Sequence, residues 1–281
     1  MGDKTKLAAA FAMLLTALLW SAGGLAIKMA DWNPFAIAGS RSLLASLMIL
    51  AWLRRPKFNF SLPQIAAAVA NALTMLFFVI ANKTTTAANA ILLQYTAPVF
   101  TAFLGAWLLK EKTRPEHWVS IVFVMAGMAI MFADKIGGGG ATGDAIALLS
   151  AVTFSLYLVF IRMQKNASPL ESILLSHWIV AGICLLASFF QPLPQLSAKT
   201  AAAILVLGIL QVGIPSFLIV YAIKRISALS ANLIAVAEPV LNPLWVFLFL
   251  GERPGLNTLV GGAIIISSVA AASLVGARRR E

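Results

Sequence analysis

The chain holds one cysteine in 281 residues, ten acidic side chains against 21 basic ones, and only 11% charged residues in all. Each shortage removes a class of protein. The lone thiol, Cys184, lies inside an apolar run, so it supports neither an intrachain disulfide nor a thiolate metal site. So little charge, beside 60% hydrophobic residues and a mean hydropathy of +0.92, falls outside the range of soluble domains. P-loop, HExxH, CxxC and GxSxG motifs are missing, and no aspartate pair sits at the end of an apolar run. No catalytic residue, metal or cofactor is therefore expected, and no enzyme. The short alternating segments of a membrane barrel are absent too. A net charge of +11 would suit nucleic acid, but the basic residues occupy short gaps between apolar runs. That is how loops are anchored at a membrane face, and no nucleic-acid partner is expected.

What is present is a series of apolar runs, each near the roughly 20 residues that a bilayer requires. Ten spans fit, at 7–29, 34–53, 62–82, 87–109, 115–134, 142–163, 169–189, 200–222, 228–250 and 256–277. Helix punctuation separates several of them: Asn33-Pro34, Arg55-Pro56, Pro63, Ser168-Pro169, Gln191-Pro192 and Arg253-Pro254. Lys4 and Lys6 before the first run mimic a signal peptide, but the run is too long and lacks a convincing cleavage site, so a retained span is expected. The fold class is an all-α membrane protein.

One stretch is written twice. Ala87 to Glu111, AANAILLQYTAPVFTAFLGAWLLKE, shifted by 141 positions (98 + 141 = 239), falls on ALSANLIAVAEPVLNPLWVFLFLGE, ending with Leu229 to Glu252. Pro98-Val99 meets Pro239-Val240 without a gap, and Glu111 meets Glu252. The first spans echo each other at an offset of 134, Leu14-Leu15-Thr16-Ala17 over Leu148-Leu149-Ser150-Ala151 and Lys28 over Arg162. A copy made half a chain away is a duplication. The halves run over 1–136 and 137–281 and meet at the Gly137–Gly140 run. Because five spans per half is an odd number, the copies enter the membrane from opposite sides: a five-plus-five inverted repeat.

Orientation follows from the alternating connections. One side carries fifteen basic residues (Lys4, Lys6, Arg54, Arg55, Lys57, Lys110, Lys112, Arg114, Arg162, Lys165, Lys224, Arg225 and Arg278 to Arg280) and the other five (Lys28, Lys83, Lys135, Lys199 and Arg253). The basic side is cytoplasmic, which sets both termini there.

Away from the span ends, ionisable groups are few: Arg41 in span two, His177 in span seven and Glu238 in span nine. A charge at the bilayer centre costs about 2.5–3.5 kcal/mol even on the lenient insertion scale, so such a group faces a watery cavity or a partner. Glu238 precedes Pro239, where the missing N–H frees a carbonyl and breaks the helix. Its face also carries Asn242 and Trp245; the matching face of the first copy carries Gln94 and Thr101. Two polar stripes beside two broken helices would line a central site, with Pro98 and Pro239 as hinges. Arg41 has three roles open: to meet a substrate carboxylate, to pair with Glu238, or to snorkel outward. His177 relays protons, lines the cavity or packs. Trp20, Tyr95, Phe154 and Tyr157 lie deeper than an interfacial belt and beside small polar residues, which makes them candidate wall residues.

With Leu19-Trp20-Ser21 in span one, Pro98-Val99 to Glu111, and Glu238-Pro239-Val240 to Gly251-Glu252, the chain resembles the drug/metabolite transporter superfamily in its EamA-type branch. The resemblance covers nearly the whole chain and includes aromatic amino-acid exporters. It implies a bacterial inner-membrane carrier, monomer or homodimer, with its substrate cavity between the halves and alternating access around it. The first copy departs from the Glu-Pro pairing, since Ala97 stands where the second copy has Glu238.

A cavity with four aromatic faces, neutral groups at Gln94, Thr101 and Asn242, and single charges at Glu238 and Arg41 suits a zwitterion with an apolar side chain. Phosphorylated substrates would need a cluster of arginines and lysines. The expected function is export of aromatic or bulky apolar amino acids, or similar small amphipathic metabolites, with protons as the candidate coupling ion. Export of lipophilic cations, and uptake through the same fold, are the alternatives.

Overall fold

The computed structural model describes residues 3–278 apart from 24–25, 28–29, 136–137, 139, 192–194, 196 and 252. Every regular element among them is helical. In order these are α1 Asp3–Ser21, α2 Pro34–Leu53, α3 Leu62–Thr84, α4 Ala87–Gln94, α5 Ala97–Leu108, α6 Pro115–Met131 and α7 Ala141–Met163. Then come α8 Pro169–Ser188, α9 Ala198–Leu205, a π-helical segment Val206–Gly213, α10 Ile214–Ile223, α11 Ala228–Ala235, α12 Ala237–Leu250 and α13 Leu256–Arg278. Eight candidate spans are long and apolar enough to cross a bilayer, and Pro115–Met131 and Leu256–Ala272 are shorter apolar helices.

The punctuation in the sequence acts where it stands. Asn33 accepts a hydrogen bond from the Ala36 N–H at 2.9 Å, with Pro34 opening α2. Thr86 caps α4 through the Asn89 N–H, and Ser227 caps α11 through the Ser230 N–H, each at 3.1 Å. Those two caps begin the two copies of the repeated stretch.

Apolar residues face outward and polar ones inward, the reverse of a water-soluble protein. Phe11, Trp52, Phe103 and Trp107 are more than half exposed, whereas His177, Ser176, Asn232 and Thr101 are fully buried. Facing water, each large apolar side chain would forfeit about 1.5–3 kcal/mol of burial energy, so lipid is the solvent that this surface fits.

At one end of the bundle α2 packs along α8; at the other, α6 packs along α13. Between them α3 lies along α7 and against α8, and α1 lies against α10. The α4–α5 pair packs on α7, and the α11–α12 pair on α1. The α6–α13 contact depends on glycine: a Cβ on Gly261 would collide with the Gly127 carbonyl and the Met131 backbone. Ser268 and Ser120 hydrogen-bond at 3.1 Å across the same seam, as small and hydroxylated residues do between membrane helices.

Three spans are interrupted. Pro98 cannot donate to the Gln94 carbonyl, nor Pro239 to the Ala235 carbonyl, and the helices break two to three residues earlier, at Tyr95–Thr96 and Val236. Tighter bonds bridge the gaps, Thr96 N–H to Leu93 O at 3.1 Å and Val236 N–H to Leu233 O at 3.3 Å. The third interruption is the π-helical segment ahead of Pro215, a feature that concentrates at functional sites.

Candidate functional site

The interrupted helices open onto one cavity of about 840 Å³. It extends to the connections at Trp32–Pro34, Lys83 and Arg253–Gly255, all on the lysine- and arginine-poor side. Among the described residues, none of the connections at 54–61, 110–114 or 224–227 lines it. That opposite end is bridged instead. Arg162, in the last turn of α7, pairs through Nε with Glu111 Oε1 at 2.8 Å and donates from Nη1 to the Ile223 carbonyl at 2.7 Å. The other Glu111 oxygen accepts the Ala228 N–H at 3.2 Å, at the N-terminus of α11 where free N–H groups and the helix dipole favour a carboxylate.

Glu238 enters the cavity from the first turn of α12, a position set by the break at Val236. The Tyr95 hydroxyl, from the break in the first copy, donates to Glu238 Oε2. One bond thus joins the two copies across the cavity wall. Beside it stands an aromatic face. Trp20 meets Phe154 edge-on, with ring centroids 6.0 Å apart at 65°, and Phe154 lies 6.2 Å from Tyr157. All three rings line the cavity.

A separate polar group comes from α2, α3, α8 and the π-helical segment: Arg41, Asn71, His177 and Gln211. Asn71 donates to the Ser176 hydroxyl at 2.7 Å, which fixes its amide. Arg41 and His177 are more than nine-tenths buried. The ion pair to Glu238 weighed for Arg41 is not formed, because Glu238 bonds Tyr95 and Arg41 has no ion pair among the described residues. Nor does Arg41 snorkel outward: burial holds its guanidinium among α2, α8 and the cavity.

Of the residues singled out in the sequence, Trp20, Arg41, Gln94, Tyr95, Phe154, Tyr157, His177, Glu238 and Asn242 all line this cavity, as does Pro239. Thr101 and Pro98 do not. Thr101 faces α11, where its hydroxyl accepts the Asn232 amide at 2.6 Å, and both side chains are fully buried. Trp245, on the same expected stripe as Glu238, turns to α1 and donates to the Ser21 hydroxyl at 2.7 Å. Glu252 lies outside the described residues. Asn71, Gln211 and Ser216 line the cavity and were not singled out; a glutamine between Gly208 and Gly213, just before Pro215, was the available signal. No group of three His, Cys, Asp or Glu side chains placed to hold a metal occurs among the described residues.

The EamA-like transporter family matches the chain twice, over residues 7–133 and 141–274. An uncharacterized transporter of Archaeoglobus fulgidus is 26% identical over 96% of this chain and 97% of its own. The aromatic amino acid exporter YddG of Ancylobacter novellus is 26% identical over 72% of each chain. A probable terminal-alkyne amino-acid exporter of Streptantibioticus cattleyicolor is 27% identical over 93% of this chain and 92% of its own. One solved crystal structure, 24% identical, superposes with a TM-score of 0.84 over 97% of this chain and 98% of that one, so the two share a fold.

Proposed function

We infer the function from one premise: the chain belongs to the EamA-like transporter family. The family and the relatives are transporters and not enzymes, embedded in the membrane and moving small molecules. We propose that this member is a secondary transporter of the bacterial inner membrane. It exports amino acids with aromatic or bulky apolar side chains, or similar small amphipathic metabolites, by alternating access.

The observation that carries the reading is the make-up of the cavity. Among the described residues, one carboxylate, Glu238, one buried guanidinium, Arg41, and a wall of three rings share about 840 Å³, while Arg253 and Lys83 line it as exposed residues of the connections at the open end. A zwitterion with an apolar side chain satisfies all three at once. Its amine approaches Glu238, its carboxylate approaches Arg41, and its side chain stacks on Trp20, Phe154 and Tyr157. A lipophilic cation would use Glu238 and the rings but leave Arg41 buried without a partner, which is costly. The names of two relatives, both amino-acid exporters, support the same class.

Alternating access is supported by the contrast between the two ends of the cavity: open connections on one side, the Glu111–Arg162 bridge on the other. The helix pairings support the five-plus-five repeat of ten spans. The α3–α7 contact has its counterpart in α1–α10, α4–α5 on α7 in α11–α12 on α1, and α2–α8 and α6–α13 each join equivalent spans. In this reading the bridged end and both termini are cytoplasmic, Pro98 and Pro239 mark the hinges, and protons entering at Glu238 supply the coupling.

Counterflow in proteoliposomes tests the proposal. Labelled phenylalanine or methionine should exchange across the membrane with unlabelled amino acid on the far side. Exchange of a phosphorylated sugar, with none of any amino acid, would overturn the substrate class while leaving the family intact.

A further inference from the structure

Among the described residues, the buried side-chain atoms without a hydrogen-bond partner include Arg41 Nε, both ring nitrogens of His177, and Gln211 Oε1. All three residues line the cavity. Buried polar groups in folded proteins are nearly always satisfied, so unpaired ones gathered in one place call for a ligand or a cost borne for function. Here the gathering is specific. Arg41 lies on α2, His177 on α8, which packs along α2, and Gln211 on the π-helical segment, which also packs against α2. The same four-residue neighbourhood contains Asn71, whose amide is already committed to Ser176.

Chemistry then sets the sign. A guanidinium gives donors in a planar fork that matches a carboxylate, and it has no acceptor to offer a cation. An imidazole N–H adds a neutral donor beside it, and the Gln211 amide adds an N–H donor together with its unpaired oxygen, which is an acceptor. Among the described residues, the only carboxylate lining the cavity, Glu238, is held by Tyr95 on the α4 and α12 side, among helices without a major contact to α2 or α8. Nothing anionic belonging to the chain therefore fills the Arg41 position, while an anion entering through the open end would find buried donors awaiting it.

We propose that Arg41, His177 and Gln211 form a carboxylate subsite, separate from the Glu238–Tyr95 end, that selects substrates by their anionic group. This rests on the reading of the chain as an amino-acid carrier, but it assigns recognition of the carboxylate to one wall and makes Gln211, on an irregular helix segment, part of it. Gln211 acts through its amide, with Nε2 as a donor to the carboxylate and the unpaired oxygen as an acceptor for the neighbouring ammonium of the substrate. The π-helical turn is what directs that side chain inward, against Gly23, where a Cβ would meet the Gln211 amide at 2.8 Å.

The test uses ligands that carry one end of the zwitterion each: 3-phenylpropionate, which has the carboxylate only, and 2-phenylethylamine, which has the amine only. Both are titrated against the full-length protein in detergent, with thermal unfolding as the binding readout, for wild type, Arg41→Gln, Gln211→Leu and Glu238→Gln. Phenylpropionate should bind wild type, weaken about tenfold or more on Arg41→Gln, and weaken less on Gln211→Leu. It should be indifferent to Glu238→Gln. Phenylethylamine should bind wild type and Arg41→Gln alike, which also shows that the variant is folded. If phenylpropionate binds Arg41→Gln as well as wild type, or binds neither, the subsite is wrong. Counterflow of phenylalanine by wild type separately decides the parent reading: transport without Arg41-dependent binding sinks only the subsite, and Arg41-dependent binding without transport sinks only the amino-acid reading.

Discussion

Position for position, α4–α5 and α11–α12 match at an offset of 141, yet Ala97 stands opposite Glu238, Tyr95 opposite Val236, Ile91 opposite Asn232 and Thr101 opposite Asn242. Both stretches are capped by a hydroxyl, broken ahead of a proline, and followed to the same depth by apolar helix. What they share is backbone. What differs is the side chains that make side chain–side chain polar contacts between them. Tyr95 of the first reaches Glu238 of the second, and Asn232 of the second reaches Thr101 of the first. Each bond joins non-equivalent positions. A duplicated break supplies the shape of the site, and divergence after duplication supplies its chemistry, so a mechanism with two symmetric carboxylates has no residues to run on.

The largest expected effect comes from the residue with no counterpart. Glu238→Gln keeps shape and hydrogen bonding but removes a titratable charge. Transport driven by a pH gradient should fall by roughly ten- to a hundredfold, the worth of a charge-assisted bond of about 1.5–3 kcal/mol, while substrate exchange partly survives. A pH dependence of transport identical to wild type would reduce Glu238 to a strut between the two copies. Next is the aromatic wall, which belongs to neither broken helix. Trp20→Ala or Tyr157→Ala should raise KM for phenylalanine by up to about tenfold, from the loss of a ring contact worth about 0.5–1.5 kcal/mol. An unchanged KM in both would remove the wall from the site.

Smaller still is Tyr95→Phe, which deletes the bond to Glu238 but leaves the ring. A neutral partner lost at about 1 kcal/mol predicts roughly fivefold weaker transport, well short of Glu238→Gln. The smallest effect separates the matched pair Thr101 and Asn242. Thr101→Val should cost stability by about 0.6 kcal/mol, typical of a bond between membrane helices, and leave KM alone. Asn242→Val should do the opposite, raising KM with little change in unfolding temperature. A shift in KM for Thr101→Val as large as that for Asn242→Val would erase the distinction between the two copies.

Much of this was legible in the sequence because membrane helices announce themselves. Apolar length gives α2, α3, α7 and α8 almost to the residue, with Asn33-Pro34 and Ser168-Pro169 at their starts. Proline chemistry gives the two breaks, though they sit ahead of Pro98 and Pro239 since it is the carbonyl four residues back that loses its donor. Mid-span charge gives Arg41 and Glu238, since burial of either demands a reason. The rest hid for physical reasons. A π-helical turn has no residue signature, so VLGILQVG reads as one more apolar run and Gln211 passes unnoticed. Thr101 and Asn242 occupy the same register, and nothing local reveals that Asn232, on another helix, claims the first and not the second. A helical stripe also names a face without naming its neighbour: Glu238, Asn242 and Trp245 share one helix, α12, yet Trp245, two turns beyond Glu238, meets Ser21 of α1.

The central claim is that the space between the broken helices is where substrate sits. Substrate protection tests it most directly. In a Cys184→Ser background, Asn242→Cys is the single thiol, lining the cavity and approached from its open end. An impermeant thiol reagent added outside intact cells should label it, and phenylalanine should slow that labelling with half-maximal effect at the concentration that half-saturates transport. A phosphorylated sugar should give no protection. Labelling that proceeds at the same rate with phenylalanine at transport-saturating concentration would contradict the account, because the substrate would then be passing somewhere else.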